Sequence, residues 1–289
     1  MNKCPQVNPF FDQSTFTYSY VVADPDTRQC AIIDSVLNYD HAAGRISSTG
    51  ADQIAEFVRE QNLTVQWLLE THVHADHLSA ASYLKEKTGG QLAIGDRITV
   101  IQGIFGKLFN AGPDFAADGS QFDHLFHDGD GFFLGNIEAK VIHTPGHTPA
   151  CMTYVIGDAA FVGDTLFMPD YGTARCDFPG GNASDLFHSI QKLFTLPEET
   201  RVFMCHDYKA PGRDHFWYET TINEERQHNI HIHDGISEEE FIKMRQARDA
   251  TLNMPALILP SVQVNMRGGN LPPEENNGIR YMKIPLNKL

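Results

Sequence analysis

The chain has 289 residues, of which 42% are hydrophobic and 20% are charged. This composition is that of a globular protein and excludes a disordered chain. The 37 acidic residues outnumber the 22 Lys and Arg and give a formal charge of −15, which disfavours binding to nucleic acid and to anionic lipid. No run approaches 18 consecutive apolar residues, so the sequence predicts no membrane span.

The first third of the chain alternates strand and helix patterns. β-rich runs cover residues 16–23 and 29–36, and an apolar stripe predicts a helix over 51–62. A short buried strand over 65–70 leads into a histidine-rich loop. The loop is followed by a helix predicted over 78–88, which ends at two glycines.

The middle of the chain is richer in short strands. Apolar runs between turn residues predict strands over 91–95, 131–134, 137–142, 151–156, 160–162 and 201–204, and helices over 98–109 and 183–196. Asn182 is the expected N-cap of the second of these helices. This mixture predicts a layered α/β protein with two sheets inside and helices outside.

The character of the sequence changes after residue 207. Charged segments over 219–229 and 237–252 are typical of helices, and Ser237 with Glu240 fits a capping box. The tail from Asn253 is rich in Pro, Asn and Gly. We expect residues 1–207 to form the core and residues 208–289 to form a helical appendage packed on it, without independent folding.

Histidine spacing provides the strongest functional indication. The segment His72-Val73-His74-Ala75-Asp76-His77 places four metal-binding side chains within six residues at the end of a strand. Imidazole and carboxylate are ligands preferred by zinc and iron. A loop lets alternate side chains converge on one point, so this segment predicts a metal site.

Three further strand ends carry residues of the same types. His147 lies in Thr144-Pro145-Gly146-His147-Thr148, Asp164 in Gly163-Asp164-Thr165, and His206 in Met204-Cys205-His206-Asp207. A position at a strand end holds a ligand rigidly and leaves it open to a cleft. Four such ends together make a purely structural explanation improbable.

The order HxHxDH, TPGHT, GDT and a late histidine resembles the metallo-β-lactamase superfamily over about residues 16–207. The resemblance implies an αββα sandwich with the C-terminal helical appendage outside it, and it makes residues 1–207 the catalytic core. Many hydrolases of this family hold two metals. By this resemblance the first site would be His72, His74 and His147, and the second Asp76, His77 and His206, with Asp164 bridging.

The segment Arg175-Cys176-Asp177-Phe178 narrows the resemblance to the persulfide dioxygenases, a branch close to glyoxalase II. That branch implies one Fe(II) per chain on His72, His147 and Asp164, a 2-His-1-carboxylate face with three open positions. The implied reaction converts glutathione persulfide, O2 and water into sulfite and glutathione. The remaining residues would orient ligands and hold water: His74, Asp76, His77 and His206.

The residue inventory alone also permits two metals. A dizinc thioester hydrolase of the glyoxalase II type is therefore the alternative function, with zinc as the alternative metal. A non-catalytic scaffold that uses its metal for binding or sensing is a third interpretation, against which the full ligand set argues. Metal identity does not follow from the ligands alone.

Substrate contacts are predicted at two residues. Glutathione carries two carboxylates, so Arg175 is a candidate for a charge-assisted contact; the alternative is a structural pair with Asp177. Tyr208 could donate to sulfur or to a peptide group, or could pack in the core. Cys176 and Cys205 lie beside Arg175 and His206, and could react with a persulfide or serve as buried fillers.

The five cysteines lack a CxxC pair and are typical of free thiols in a reducing compartment. The N-terminal residues lack the apolar core of a secretory signal. We therefore expect a cytoplasmic protein. The resemblance implies glutathione persulfide and O2 as its partners, and the acidic composition and short apolar runs predict neither nucleic acid nor membrane as a partner. The resemblance also implies a homodimer, since relatives are often dimers.

Overall fold

A computed structural model describes residues 4–288. The strands are β1 (Gln6–Asp12), β2 (Thr17–Ala23), β3 (Gln29–Ile33), β4 (Val36–Asp40), β5 (Arg45–Ser47), β6 (Thr64–Leu69), β7 (Leu78–Ser79), β8 (Gln91–Gly95), β9 (His124–Phe126), β10 (Gly131–Leu134), β11 (Ile137–His143), β12 (Met152–Ile156), β13 (Ala159–Phe161), β14 (Arg201–Phe203) and β15 (Glu219–Thr221). The helices are α1 (Thr49–Glu60), α2 (Ala81–Thr88), α3 (Ile98–Leu108), α4 (Ala183–Leu193), α5 (Ile222–His228), α6 (Glu238–Asp249) and α7 (Ile258–Asn265).

Two six-stranded sheets form the centre of the protein. The first has the order β1-β2-β3-β6-β8-β9, and the second has the order β10-β11-β12-β13-β14-β15. Apolar side chains from both sheets pack between them, including Tyr20, Phe126, Tyr154 and Phe161, which are almost completely buried. A small sheet of the order β5-β4-β7 extends beside the first.

Helices cover the outer faces of both sheets. Ile54 of α1, Leu84 of α2 and Val262 of α7 belong to the cluster on the outer side of the first sheet. Leu186 of α4 and Phe241 of α6 belong to the cluster on the outer side of the second. The layers therefore run helix, sheet, sheet, helix, and the predicted αββα sandwich is confirmed. Among the described residues, no helix is both long and apolar enough to cross a membrane.

Parallel strand pairs explain why the predicted site residues meet. In the first sheet, β3, β6 and β8 pair in parallel, and in the second β13 and β14 pair in parallel. Parallel neighbours end at the same edge of a sheet, so the residues that follow them are collected there. Thr17 forms a bridge to His206, which joins this edge of the second sheet to the first.

Some predicted elements were wrong in their bounds. Residues 219–229 begin as β15, and the helix starts only at Ile222, because the Thr221 hydroxyl caps it by accepting from Glu224 N. The helix predicted from residue 78 starts at Ala81, since Leu78 and Ser79 pair with β4. The tail contains α7, which the Pro- and Asn-rich composition had hidden. The Asn182 cap and the capping box of Ser237 with Glu240 are confirmed.

Candidate metal centre

The histidine-rich loop follows β6, and its three histidines are buried almost completely. His72, His74 and His77 expose 1%, 0% and 0% of their surface. The loop is held by a residue of α7, Asn265, whose side-chain amide donates to the carbonyls of His74 and His77 at 2.8 Å each. A loop fixed in this way presents its imidazoles without local freedom.

Two glycines allow the other strand ends to approach this loop. Gly146 has φ +140°, and a Cβ there would lie 2.4 Å from the backbone N of Leu186 in α4. Gly163 has φ +53°, and its Cβ would lie 2.6 Å from the Thr71 hydroxyl. Only glycine permits both the backbone angle and the close contact. The adjacent residues, His147 and Asp164, are thereby brought against the loop.

Three of the predicted ligands form one compact cluster. The ligand atoms of His72, His147 and Asp164 all lie within 4.8 Å of one another. Asp164 Oδ2 lies 3.9 Å from His72 Nε2 and 3.6 Å from His147 Nε2. Two atoms bound to one ion at about 2.1 Å each can be at most about 4.2 Å apart, so these contacts fit a shared metal.

A second cluster shares the same carboxylate. His206 Nε2 lies 3.3 Å from Asp76 Oδ2 and 3.3 Å from Asp164 Oδ1. His77 packs near His206, with ring centroids 6.3 Å apart. The two oxygens of Asp164 therefore face different groups of imidazoles, which is the arrangement expected of a bridging carboxylate.

Hydrogen bonds fix the orientation of the imidazoles. The His147 Nδ1–H donates to the Arg175 carbonyl at 2.8 Å, and the His77 Nδ1–H donates to the Leu78 carbonyl at 3.1 Å. His206 Nδ1 lies 3.3 Å from the Phe16 carbonyl. A proton on Nδ1 leaves Nε2 with a lone pair, as is usual for histidines that bind metals.

Of the buried polar atoms that have no hydrogen-bond partner, five belong to the residues of the two clusters. They are His72 Nε2, His77 Nε2, His206 Nε2, Asp76 Oδ2 and Asp164 Oδ1. Burial and the neighbouring imidazoles hold the pKa of His72 well below its ordinary value, and burial lowers the pKa of His77 to about 4. Neutral imidazoles with free lone pairs are the form that binds a metal, so this donor set fits a cation.

His74 has a different environment from the other ligand candidates. Its Nε2 lies 3.0 Å from Asp34 Oδ1 and 3.5 Å from Glu70 Oε2. Burial opposes its charged form, yet the two carboxylates raise the pKa of His74 to about 9, and burial raises the pKa of Glu70 to about 8. The contact between His74 Nε2 and Asp34 Oδ1, at 3.0 Å, is the shortest of these contacts. His74 Nδ1 remains without a partner.

A cavity of about 350 Å³ opens beside the first cluster. Its lining includes His147, Asp164, Arg175, Tyr208 and Arg248. The predicted substrate residues thus lie in one cavity with three of the ligand candidates, His147, Asp164 and Asp76. The cavity also has apolar walls, contributed by Phe167, Phe178, Leu252 and Leu257.

Arg175 forms the structural pair with Asp177 and also lines the cavity. Its guanidinium pairs with both carboxylate oxygens of Asp177 at 2.6 Å and donates to the Asn253 carbonyl at 2.6 Å. It still reaches the cavity wall. Arg248 lies over the Tyr171 ring, 5.8 Å from its centroid, and lines the same cavity.

Tyr208 is 37% exposed, and its ring stacks on His206 with centroids 5.6 Å apart. It therefore lies at the cavity without being a core residue. Cys176 and Cys205 are buried, and burial raises the pKa of both thiols. Their neutral state is that of inert cysteines rather than of reactive thiolates.

Sequence reasoning missed three residues of the site. Asp34 and Glu70 follow β3 and β6 directly, so the strand-end argument that found Asp164 would also have found them. Asn265 contacts the loop from 188 residues away, and no local pattern marks it. Its Oδ1 also accepts from Ser79 N at 2.7 Å, which helps to end the loop before α2.

The αββα layers and the buried imidazole–carboxylate clusters at one sheet edge define a metal-binding protein of the metallo-β-lactamase fold. The sequence profile of the metallo-beta-lactamase superfamily matches residues 14–206. The chain belongs to this superfamily, as its motifs predicted.

Individual relatives differ in their named activity. The chain is 57% identical to a "probable metallo-hydrolase" of Burkholderia pseudomallei, over 98% of this chain and 99% of the relative. It is 49% identical to "Glyoxylase B2" of Dictyostelium discoideum, over 100% and 99%. It is 31% identical to the mitochondrial persulfide dioxygenase ETHE1 of Bos taurus, over 90% and 87%. The crystal structure of ETHE1 from Myxococcus xanthus superposes with a TM-score of 0.73 and 34% identity, over 92% of this chain and 100% of that one.

Proposed function

We propose that the protein is an Fe(II)-dependent persulfide dioxygenase that oxidises glutathione persulfide to sulfite. The observation that carries the proposal is the compact cluster of His72, His147 and Asp164. Two imidazoles and one carboxylate are the ligand set of non-haem iron oxygenases, which keep open positions on the metal. His74 is not part of this cluster: its Nε2 faces Asp34, and it groups with Asp76 and His77.

The metal would be held by these three residues. When bound, Fe(II) supplies open coordination positions for sulfur and O2 together with the redox chemistry that joins them. In the overall reaction, one glutathione persulfide, one O2 and one water give one glutathione and one sulfite. The terminal sulfur is oxidised and O2 is reduced, so no other oxidant or reductant is needed.

The cavity residues supply binding rather than redox chemistry. Arg175, held by Asp177, would present its remaining surface to a carboxylate of glutathione, and Arg248 provides a second cation at the same cavity. Tyr208, stacked on His206, would donate its hydroxyl proton to a peptide carbonyl or to sulfur. Apolar walls beside these groups exclude water and strengthen each charge-assisted contact.

A second candidate function is a dizinc thioester hydrolase of the glyoxalase II type. It is favoured by the unpartnered atoms of Asp76, His77 and His206 and by the names of two relatives. Asp164 would bridge the ions in that case. The chemistry supplied would be Lewis-acid activation of water and of the thioester carbonyl.

Metal loading and substrate together separate the two functions. Protein prepared anaerobically with one equivalent of Fe(II), and protein prepared with two equivalents of Zn²⁺, are each offered glutathione persulfide and S-lactoylglutathione. We expect O2 uptake and sulfite only from the iron form with the persulfide. Thioester hydrolysis by the zinc form, with no O2 uptake by the iron form, would replace the proposal with the hydrolase.

A further inference from the structure

We infer that a buried ion pair of α6, Arg245 with Asp249, is a positioning device for the ligand His147. The pair acts through the backbone on both sides of Arg175. This inference rests on the proposed function in one respect, namely that His147 binds the metal. It assigns a role in the metal centre to a helix that carries no ligand of its own.

The pair is enclosed in the protein. The Arg245 side chain is 1% exposed and that of Asp249 is 7% exposed. Arg245 Nε and Nη2 both approach Asp249 Oδ1, at 2.9 Å and 2.7 Å. One turn of helix separates the two residues, so α6 holds both groups at a fixed spacing.

Both members of the pair also bind the loop that follows Asp164. Arg245 Nη1 donates to the Thr173 carbonyl at 2.9 Å, and the other carboxylate oxygen of Asp249 accepts from Cys176 N at 2.9 Å. These backbone groups bracket Arg175. The Arg175 carbonyl is the acceptor for the His147 Nδ1–H, at 2.8 Å.

The loop has further supports of the same kind. His231 Nδ1 accepts from Thr173 N at 3.0 Å, and Asn229 Nδ2 donates to the Gly172 carbonyl at 3.0 Å. The loop around Arg175 is thus held by side chains from beyond residue 207. The Arg245–Asp249 pair is the support nearest to the carbonyl that orients His147.

The physical argument concerns orientation. A partner on Nδ1 sets both the tautomer and the rotation of an imidazole whose Nε2 binds a metal, and loss of such a partner typically weakens metal binding about 10- to 100-fold. Stability alone gives a weaker reason for the pair, because apolar residues can often replace a buried ion pair without loss. An apolar pair could not form the two hydrogen bonds, to the Thr173 carbonyl and to Cys176 N, that fix the backbone on either side of the Arg175 carbonyl.

The test measures metal binding without substrate. Apo protein is titrated with Zn²⁺ in competition with a chelator, Co²⁺ absorption reports the coordination, and thermal unfolding of the apo protein reports stability. Arg245→Leu with Asp249→Leu removes the pair without leaving one charge unpaired. Arg245→Lys keeps the charge but lacks the planar fork that reaches both partners, and it serves if the double variant does not fold.

The controls use the same helix and the ligand itself. Lys243→Leu removes an exposed cation of α6 and should bind Zn²⁺ like the parent protein. His147→Ala should bind it far more weakly. A second double variant combines Arg245→Leu with Asp249→Asn. Its asparagine restores an acceptor for Cys176 N, so this variant should bind Zn²⁺ more tightly than the variant with two leucines.

We expect the double variant to bind Zn²⁺ about 10-fold more weakly, with an altered Co²⁺ spectrum, and Arg245→Lys to show a smaller loss. Parent-like affinity in both variants, while His147→Ala is impaired, would overturn the positioning role alone. An unimpaired His147→Ala would instead overturn the ligand assignment and, with it, the proposed function. A lower unfolding temperature with unchanged affinity would show a merely structural pair.

Discussion

The strand-end loops and the segment after residue 207 contribute to the same site in different ways. The loops carry the ligand candidates, and their His and Asp residues indicate a metal site from the sequence alone. The later segment carries none of the three clustered ligands, yet α7 holds the histidine loop through Asn265, and α6 holds the loop of Arg175. The chemistry is local in sequence, whereas the rigidity that the chemistry needs comes from far away.

The largest expected effect falls on the loops. Asp164→Ala removes the only carboxylate of the three-residue cluster, and with it the second oxygen that lies 3.3 Å from His206 Nε2. We expect iron and activity to be lost together, with metal affinity reduced by more than about 100-fold, beyond the range for outer partners. Metal analysis and O2 uptake check this.

Asp158 provides the matched control for that variant. It lies in the turn between β12 and β13, pairs with Arg201 of β14 away from the site, and is partly exposed. Asp158→Ala should retain metal and activity. Full iron content in Asp164→Ala would contradict the ligand assignment.

The next effect tests the later segment. Asn265→Ala leaves two carbonyls of the histidine loop and the N–H of Ser79 without their side-chain partner in a buried region. Unsatisfied buried groups cost about 1–3 kcal/mol each, so we expect a loss of about 3 kcal/mol after relaxation. Urea unfolding measures it, and metal affinity should fall with it.

Asn270 lies in the same segment but on the surface, where it accepts from Ser82. Asn270→Ala should change the free energy of unfolding by no more than about 0.5 kcal/mol. Equal losses in the two variants would mean that the segment stabilises the protein without a special contact to the loop.

These contrasts also explain what the sequence could predict. The fold followed from alternating strand and helix patterns, and the ligand candidates followed from residue types at strand ends, which periodicity locates. Asp34 and Glu70 obey the same rule but lie outside any dense motif. Asn265 could not be found, because a single Asn in a Pro- and Asn-rich tail gives no indication of a partner 188 residues away.

Errors in element bounds have the same origin. Leu78 and Ser79 carry a helix-compatible pattern, but the pairing of these residues with β4 outweighs their local preference. The first residues of the segment 219–229 pair with β14 as the edge strand of the second sheet. Local propensity decides an element only where no tertiary partner competes for its backbone.

A pH effect sharpens the comparison further. Burial, with Arg245 and Arg248 nearby, lowers the pKa of His231 from 6.5 to about 4. Between these values the unfolded chain binds a proton that the folded chain does not, so stability falls as pH falls from 6.5 towards 4, by about 1.4 kcal/mol per pH unit at most. Above pH 6.5 His231 is neutral in both the folded and the unfolded state, and this loss of stability is absent.

Comparison with His231→Asn isolates this contribution from those of the other histidines. Asn keeps an acceptor near Thr173 N but does not titrate. Urea unfolding of metal-free protein across pH 4 to 7 should show a shallower dependence for the variant, by about 1 kcal/mol per pH unit. Parallel curves would mean that His231 takes up its proton as readily in the folded protein as in the unfolded chain.

The smallest expected effect separates the side chain of Arg175 from its backbone. Arg175→Ala removes the guanidinium but retains the carbonyl that accepts from His147, and it leaves Asp177 partly exposed to water. We therefore expect unchanged metal content and a KM for glutathione persulfide raised about 10-fold, the loss of one charge-assisted contact of about 1.4 kcal/mol. Arg175→Lys should recover little, because a lysine cannot reproduce the bidentate pair with Asp177. If kcat fell while KM stayed constant, the guanidinium would act on the transition state rather than in substrate binding. If metal were lost instead, the side chain would belong with Arg245 and Asp249 among the supports of the loop.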